Sequence, residues 1–242
     1  MMCTMFDMLV CDIERRPAQD IWENICSNLA GMDGLLSRFS PESEVYKINE
    51  GLVSTLSPDL QTVLEICSGW WLRTGGLFDI TKHDFRKLRW SAGAIDTGGE
   101  KLDFGGMGKG LALKYIQDLM ESRGVTSAFV DFGSSSILAM GSHPFGPCWK
   151  TSVANPDEEG QVCEVCLKDN CLSVSGNRPS YSGHIINPGD GTPVNSRRIV
   201  TVVGRDPLEA EVLSTAMMIA TPQERESIME NFPETEVKTY DL

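Results

Sequence analysis

Positively charged side chains and histidines are scarce in this chain of 242 residues. Lys and Arg number 21 against 34 Asp and Glu, which gives a net charge of −13, and only 3 residues are His. A nucleic-acid partner is not expected, because phosphate contacts need clustered Lys and Arg. The same scarcity requires any anionic ligand to be bound against the net field of the protein.

Long apolar segments are also missing. No run approaches the roughly 20 apolar residues that span a bilayer. A signal peptide has a basic region followed by an apolar one, and the N-terminus of this sequence lacks that pattern. The sequence therefore predicts a cytoplasmic protein without a transmembrane segment. Intrinsic disorder is excluded in turn, because hydrophobic residues make up 41% of the chain.

The cysteines number 8, and in the predicted compartment they are expected to be reduced thiols. Cys163, Cys166 and Cys171 leave a zinc or redox site open as an alternative. A strand is predicted over 162–167, however, and positions i and i+3 of a strand point to opposite faces. One ion would not easily bind both sulfurs of this pair.

Patterning predicts an α+β fold as a single domain over residues 1–242. Helices are predicted over 18–36 and 111–123, and further helices open at Ser57-Pro58, Asp206-Pro207 and Thr221-Pro222. Strands are predicted at 5–13, 100–104, 127–132, 137–141, 149–154, 162–167, 171–175, 197–204 and near 236–240, and 91–99 is predicted to be a loop. Because strands and helices do not alternate strictly, a doubly wound sheet is disfavoured.

The strongest local feature is the glycine-rich segment KLDFGGMGKG at 101–110. Backbone N–H groups and a helix N-terminus favour an anion there, and Lys109 adds the charge that a phosphate needs. The alternative is a plain turn. A P-loop is excluded because Gly110 follows Lys109, and the glycine spacing does not match G-x-G-x-x-G. A dinucleotide site stays open as a weaker hypothesis, because Asp131 at the end of the next predicted strand could bind a ribose hydroxyl.

Three further groups are candidates for chemistry. His184 beside a turn has the reference pKa of a general base, although a hydrogen-bonding role is the alternative. Glu211 and Thr215 are four residues apart on one predicted helix face and carry oxygens that suit Mg2+, although such faces also pair polar residues without a metal. Asp79 and Thr81 lie on a turn, which Asx-turn chemistry explains without function.

The order of these segments resembles the ApbE family of FAD:protein FMN transferases, nearly end to end. Its motifs are matched in order by Met2-Cys3-Thr4, SRFSPESE at 37–44 with Ile48-Asn49, GLFDIT at 76–81, DFGGMGKG at 103–110, Asp131-Phe132-Gly133, Ser175-Gly176, HIINP at 184–188 and AEVLSTA at 210–216. Several positions depart from the family pattern, among them Glu211, which replaces an Asp, and Asn187 and Asp190, which replace the Asp and Thr of HIIDPxTG.

The resemblance implies a T-fold-related architecture and an enzyme that splits FAD with Mg2+, attaches FMN to a Thr or Ser of an acceptor protein and releases AMP. It implies that His184 acts near the incoming hydroxyl or water. The residues implied to hold FAD are Met2, Phe39, Leu77, Phe78, Asp79, Asp103, Lys109 and the backbone near Ile186. Those implied to hold Mg2+ are the Gly106 carbonyl, Glu211 and Thr215.

Three alternatives remain beside protein flavinylation. An FAD pyrophosphatase would use the same site with water and give FMN and AMP. A non-catalytic FAD-binding protein would have lost its chemistry through the substitutions at Glu211 and Asn187. A dinucleotide-dependent oxidoreductase ranks last, because the glycine spacing is wrong.

Overall fold

The computed structural model describes residues 4–91, 93–156, 159–177 and 183–242. Within these ranges the helices are α1 (Arg15–Leu36), α2 (Glu44–Asn49), α3 (Pro58–Arg73), α4 (Gly108–Ser122), α5 (Pro207–Ile219) and α6 (Pro222–Met229). The strands are β1 (Phe6–Cys11), β2 (Arg89–Ser91), β3 (Ala94–Asp96), β4 (Ser127–Phe132), β5 (Ser136–Met140), β6 (Trp149–Ala154), β7 (Gln161–Leu167), β8 (Asn170–Gly176), β9 (Arg198–Gly204) and β10 (Glu236–Asp241).

Six strands form one sheet in the order β1-β4-β5-β8-β9-β10, and every neighbouring pair is antiparallel. In β4, Ala128, Val130 and Phe132 point to the core that the helices cover, whereas Phe129 points to the opposite face, where the β6–β7 hairpin packs. This two-residue alternation buries both faces of the sheet. The predicted α+β class is confirmed, and the parallel sheet of a doubly wound dinucleotide fold is not formed.

Helix α5 is the most deeply buried helix of this core. It packs on β8, β9 and α4, and its residues Val212, Leu213, Ala216 and Met217 are fully shielded from solvent. The Asp206 carboxylate accepts hydrogen bonds from the amides of Leu208 and Glu209 at the start of the helix, as the capping pattern predicts. A polar side chain on the buried face of α5 therefore needs partners within the protein.

Two secondary-structure predictions are wrong. Residues 100–104 form no strand. The Leu102 amide donates to the Asn49 side chain, and the Asp103 amide donates to the Ile80 carbonyl. Neither Asn49 nor Ile80 belongs to a strand, so these amides do not join a sheet. The segment 91–99 is not a plain loop, since β3 lies in it and pairs with β2. The other predicted helices and strands are present with small shifts of their ends.

The prediction that all cysteines are reduced is also wrong for one pair. Cys148 and Cys166 form a disulfide, with their Cα atoms 5.7 Å apart. The hairpin register makes this possible: Cys166 pairs with Lys150, and Cys148, two residues before Lys150, lies diagonally from Cys166 on the same face of the hairpin.

Over the part of the chain that the structure describes, none of the helices combines the length and the apolar character that a membrane span requires.

Candidate functional site

The glycine-rich segment 103–110 forms a tight turn that leads into α4. The Asp103 carboxylate accepts the Gly105 amide at 2.8 Å, and the Phe104 carbonyl accepts the amides of Met107 and Gly108. The chain therefore turns directly into the helix, whose capping residue Met107 has no side-chain hydrogen bond to the first turn. The N-terminal end of α4 presents the positive end of the helix dipole beside Lys109.

Gly110 allows α4 to approach α5 closely. A Cβ atom at position 110 would lie 2.6 Å from the Glu211 Cβ atom and 2.6 Å from the Pro207 carbonyl oxygen. Both distances are far below van der Waals contact. A glycine at this position is therefore required to bring Lys109 and Glu211 together.

We predict that Gly110→Ala destabilises the protein by about 1–3 kcal/mol, because overpacking against backbone atoms forces the two helices apart. Gly69→Ala in α3 is the matched control: a Cβ atom there has no neighbour within 4 Å, and alanine stabilises an exposed helix position by up to about 1 kcal/mol relative to glycine. Urea unfolding followed by circular dichroism measures both effects. Equal stability of the two variants would contradict the close approach.

Lys109 and Glu211 form a partly buried ion pair. Their side chains are 20% and 6% exposed, and the Lys109 ammonium group contacts Glu211 Oε1. The other carboxylate oxygen, Oε2, accepts hydrogen bonds from the hydroxyl groups of Ser136 at 2.5 Å and Ser173 at 2.9 Å. Both oxygens of Glu211 therefore have protein partners.

The three predicted Mg2+ ligands lie in one region but do not form an open cation site. Gly106 and Thr215 are neighbours, since a Cβ atom on Gly106 would lie 3.5 Å from the Thr215 hydroxyl oxygen. Glu211 lies one helical turn before Thr215 on α5, yet its carboxylate is engaged by Lys109 and the serines. A carboxylate offers about four lone-pair sites in all, and three of them are used, so this donor set does not fit Mg2+ as it stands.

Two further cations surround Asp103. Arg38 Nε lies 3.0 Å and Lys82 Nζ lies 2.6 Å from Asp103 Oδ2. Lys82 Nζ also donates to the backbone carbonyl of His184 at 3.4 Å. Among the described residues, these side chains and Lys109 make a local group of three cations, paired with the carboxylates of Asp103 and Glu211. This group opposes the net negative charge of the protein.

The pKa of His184 is lowered from its ordinary value. The largest cause is the partial burial of the ring, which disfavours the charged imidazolium. The positive charges of Lys82 and Lys109 lower the pKa further. The imidazole is therefore neutral at neutral pH. A neutral imidazole has a nitrogen that can accept a proton.

The other predicted FAD residues have different environments. Phe39 is 72% exposed. The Arg38 guanidinium lies over one face of its ring, 4.1 Å from the centroid, which leaves the other face for a planar ligand. Phe78 is buried, and Leu77 is partly buried against the core. The Asp79 carboxylate accepts the amides of Thr81 and Phe85, as the Asx-turn alternative predicts. Met2 lies outside the described residues.

The backbone near Ile186 belongs to a short antiparallel turn. Ile186 bridges Pro193, the Asn187 amide donates to the Thr192 carbonyl, and the Val194 amide donates to the Ile185 carbonyl. These bonds, with the Lys82 contact to the His184 carbonyl, fix the loop that carries the histidine. The structure thus places His184 near the same cations as the α4 N-terminus.

Sequence reasoning missed the groups that hold these residues in place. Arg38 and Lys82 were not singled out, although Lys82 directly follows the GLFDIT motif. Ser136 and Ser173 were not singled out either. Alternation along β8 puts Ser173 and Ser175 on one face, but nothing local indicates that this face meets α5.

Asp131 lies away from this region. It shares its sheet face with Phe129 and lines a separate cavity of about 430 Å³ beside the β6–β7 hairpin, with Lys150 and Glu164. Its carboxylate accepts the Ser134 amide at 2.7 Å, and burial is the main reason why its pKa is raised. The weak dinucleotide hypothesis loses its ribose-binding acid.

Comparison with known proteins identifies relatives of one kind. The chain is 22% identical to an FAD:protein FMN transferase of Salmonella typhimurium over 278 residues, covering 94% of this chain and 79% of that protein. It is 26% identical to an Escherichia coli K12 protein and 25% identical to a Klebsiella pneumoniae protein, both with this name. In both cases the match covers 53% of this chain and only 39% of the relative.

Solved structures give the same result for the fold. The Flavin Transferase ApbE from Vibrio cholerae superposes with a TM-score of 0.81 at 19% identity, covering 98% of this chain and 94% of that one. The ApbE protein from Thermotoga maritima superposes with a TM-score of 0.79 at 19% identity, over 95% and 88% of the two chains. The sequence profile of the ApbE family matches residues 2–99 and 81–238. The chain therefore belongs to the ApbE family.

Proposed function

We propose that this protein binds FAD and transfers its FMN group to a Thr or Ser hydroxyl of an acceptor protein, with release of AMP. The observation that carries the proposal is a group of three cations along the glycine-rich segment 103–110: Arg38 and Lys82 pair with Asp103, and Lys109 lies in the first turn of α4. In a chain of charge −13, such a local excess suits one diphosphate. The names of the relatives supply the reaction.

The proposed chemistry is the exchange of one phosphorus–oxygen bond for another. The acceptor hydroxyl oxygen attacks the phosphorus of the FMN half, the bond to the AMP half breaks, and AMP leaves with the bridging oxygen. Such a reaction needs positioning and charge neutralisation more than covalent chemistry. Lys109 would neutralise the diphosphate, and His184, neutral because its pKa is lowered, would accept the hydroxyl proton.

The exposed ring of Phe39 would lie against the flavin, and the backbone near Ile186 would complete the site. Mg2+ supplies charge neutralisation to phosphoanhydride cleavage when it is bound. We assign it no step here, because Glu211 is engaged by Lys109 and two serines. The requirement for Mg2+, the single domain over 1–242 and the cytoplasmic location stay predictions.

One incubation tests the proposal. The protein is mixed with FAD, with and without Mg2+, and with an acceptor domain that carries a target Thr or its Thr→Val variant as the control. AMP is measured by chromatography, and covalent flavin by in-gel fluorescence after denaturation. We expect AMP and covalent flavin together, only with the threonine-bearing domain.

Two other outcomes would replace the proposal. Release of AMP without covalent flavin on any acceptor would assign an FAD pyrophosphatase. Bound FAD without AMP under Mg2+, Mn2+ and Ca2+ would assign a non-catalytic flavin-binding protein, which the engagement of Glu211 by Lys109 would then explain.

A further inference from the structure

Glu211 is surrounded by a network of serine hydroxyl groups. Besides the bonds from Ser136 and Ser173 to its carboxylate, the Ser173 hydroxyl pairs with Ser214 at 2.9 Å, and Ser214 pairs with Ser175 at 2.8 Å. Ser214 also donates to the backbone carbonyl of Glu211 at 3.0 Å. Ser136, Ser173 and Ser214 are buried, so the network is closed to bulk water on the sheet side.

The network determines the direction of the Glu211 carboxylate. Hydroxyl groups from β5 and β8 take Oε2, which leaves only Oε1 for a partner on the side of α4, and Lys109 takes that position. Gly110 packs against the base of the same side chain. A buried carboxylate is costly unless it is both paired and hydrogen-bonded, and here the lysine and the two serines supply both.

We propose that Ser136 and Ser173 are positioning residues that hold Glu211 as the resident counterion of Lys109. This inference rests on the proposed binding of FAD at Lys109 and deepens it. Glu211 then limits the positive charge that Lys109 offers to a diphosphate, because the carboxylate competes for the ammonium group and repels the anion. In this arrangement Glu211 is part of the lysine's environment rather than a free metal ligand.

The first test measures FAD affinity without divalent cations. Glu211→Gln keeps the size of the side chain and one acceptor oxygen but removes its charge. In EDTA, titration of FAD followed by flavin fluorescence should show binding about tenfold tighter than in the wild type, a change of about 1.4 kcal/mol. An affinity in EDTA that is unchanged or weaker would overturn the proposal. If Mg2+ also no longer changes the FAD affinity of this variant, Glu211 would be assigned as a metal ligand.

The second test needs no FAD and separates the counterion role from the proposed function. Ser136→Ala with Ser173→Ala removes two hydrogen bonds to a charged group, so the Tm should fall by about 5–10 °C in the wild-type background. In the Glu211→Gln background the fall in Tm should be at most half as large, because the two serines then bond to a neutral side chain. Equal losses in both backgrounds would overturn the positioning role.

Ser175→Ala is the matched control, because Ser175 bonds Ser214 and not the Glu211 carboxylate. Its effect on the Tm should be the same in both backgrounds. If the double serine variant does not fold, Ser173→Ala alone repeats the comparison. A wild-type protein that binds no FAD would remove the proposed function, and the Tm comparison would still decide whether the serines act through Glu211.

Discussion

Replacement of Lys109 by methionine is expected to abolish measurable FAD binding and to destabilise the protein by about 3 kcal/mol or more. The substitution removes the charge placed at the α4 N-terminus and leaves the Glu211 carboxylate, 6% exposed, without its cation. Loss of one partner of a buried pair costs about 3–5 kcal/mol, because the remaining charge is uncompensated. The same carboxylate then repels the diphosphate.

The two effects of Lys109→Met can be measured separately. Urea unfolding gives the free energy of unfolding, and fluorescence titration gives the FAD affinity. In Lys109→Met with Glu211→Gln, most of the stability should return, since no buried charge is left, whereas FAD binding should stay at least tenfold weaker than in the wild type. Recovery of both would show that Lys109 does not contact the ligand.

Lys114→Met is the matched control for a charge change on the same helix. Lys114 pairs with the exposed Asp118 one turn later, and exposed pairs of this kind contribute little to stability. Its stability should lie within about 0.5 kcal/mol of the wild type, and its FAD affinity should be unchanged. A similar loss in both lysine variants would assign the effect to net charge rather than to the site.

Replacement of His184 by glutamine is expected to reduce the rate of flavin transfer by about 10²–10⁴-fold, the usual contribution of a general base. FAD affinity should change little, because the proton acceptor acts on the acceptor hydroxyl and not on the diphosphate. Single-turnover formation of covalent flavin measures the rate. A variant with more than half of the wild-type rate would exclude His184 as the base.

The pH dependence of the wild type provides a second test of His184. Its pKa is lowered by burial and by Lys82 and Lys109, so the acid limb of kcat/KM should lie below the ordinary histidine value of about 6.5. Lys82→Met should move this limb upward, because one repelling charge is removed, whereas Lys87→Met, a lysine that pairs with Glu100, should not. An acid limb at or above the ordinary value would contradict the assignment.

The lowered pKa also has a consequence for stability. The unfolded chain binds a proton on His184 at a higher pH than the folded protein does, so protons favour unfolding between the two pKa values. The contribution of neutral His184 is therefore complete above the ordinary value and falls as the pH decreases through it. Unfolding of the wild type and of His184→Gln between pH 5 and 8 compares the two slopes.

The sequence by itself determined the local structure and the motif order. The capping residues Ser57, Asp206 and Thr221 begin α3, α5 and α6 where predicted, because a helix cap involves only neighbouring residues. The ordered motifs indicated the family, and the family profile confirms it. The error at 100–104 arose because those amides bond to Asn49 and Ile80, at positions that no local pattern reveals.

The tertiary structure alone decided the partners of the charged groups. Ser136 and Ser173 are separated from Glu211 by 75 and 38 residues, and they reach it only because β5 and β8 are neighbours in the sheet and α5 packs on that face. The disulfide between Cys148 and Cys166 depends in the same way on the hairpin register. Side-chain direction follows from register and packing rather than from spacing. The sequence therefore identified Glu211 and Lys109, whereas only the fold paired them with each other.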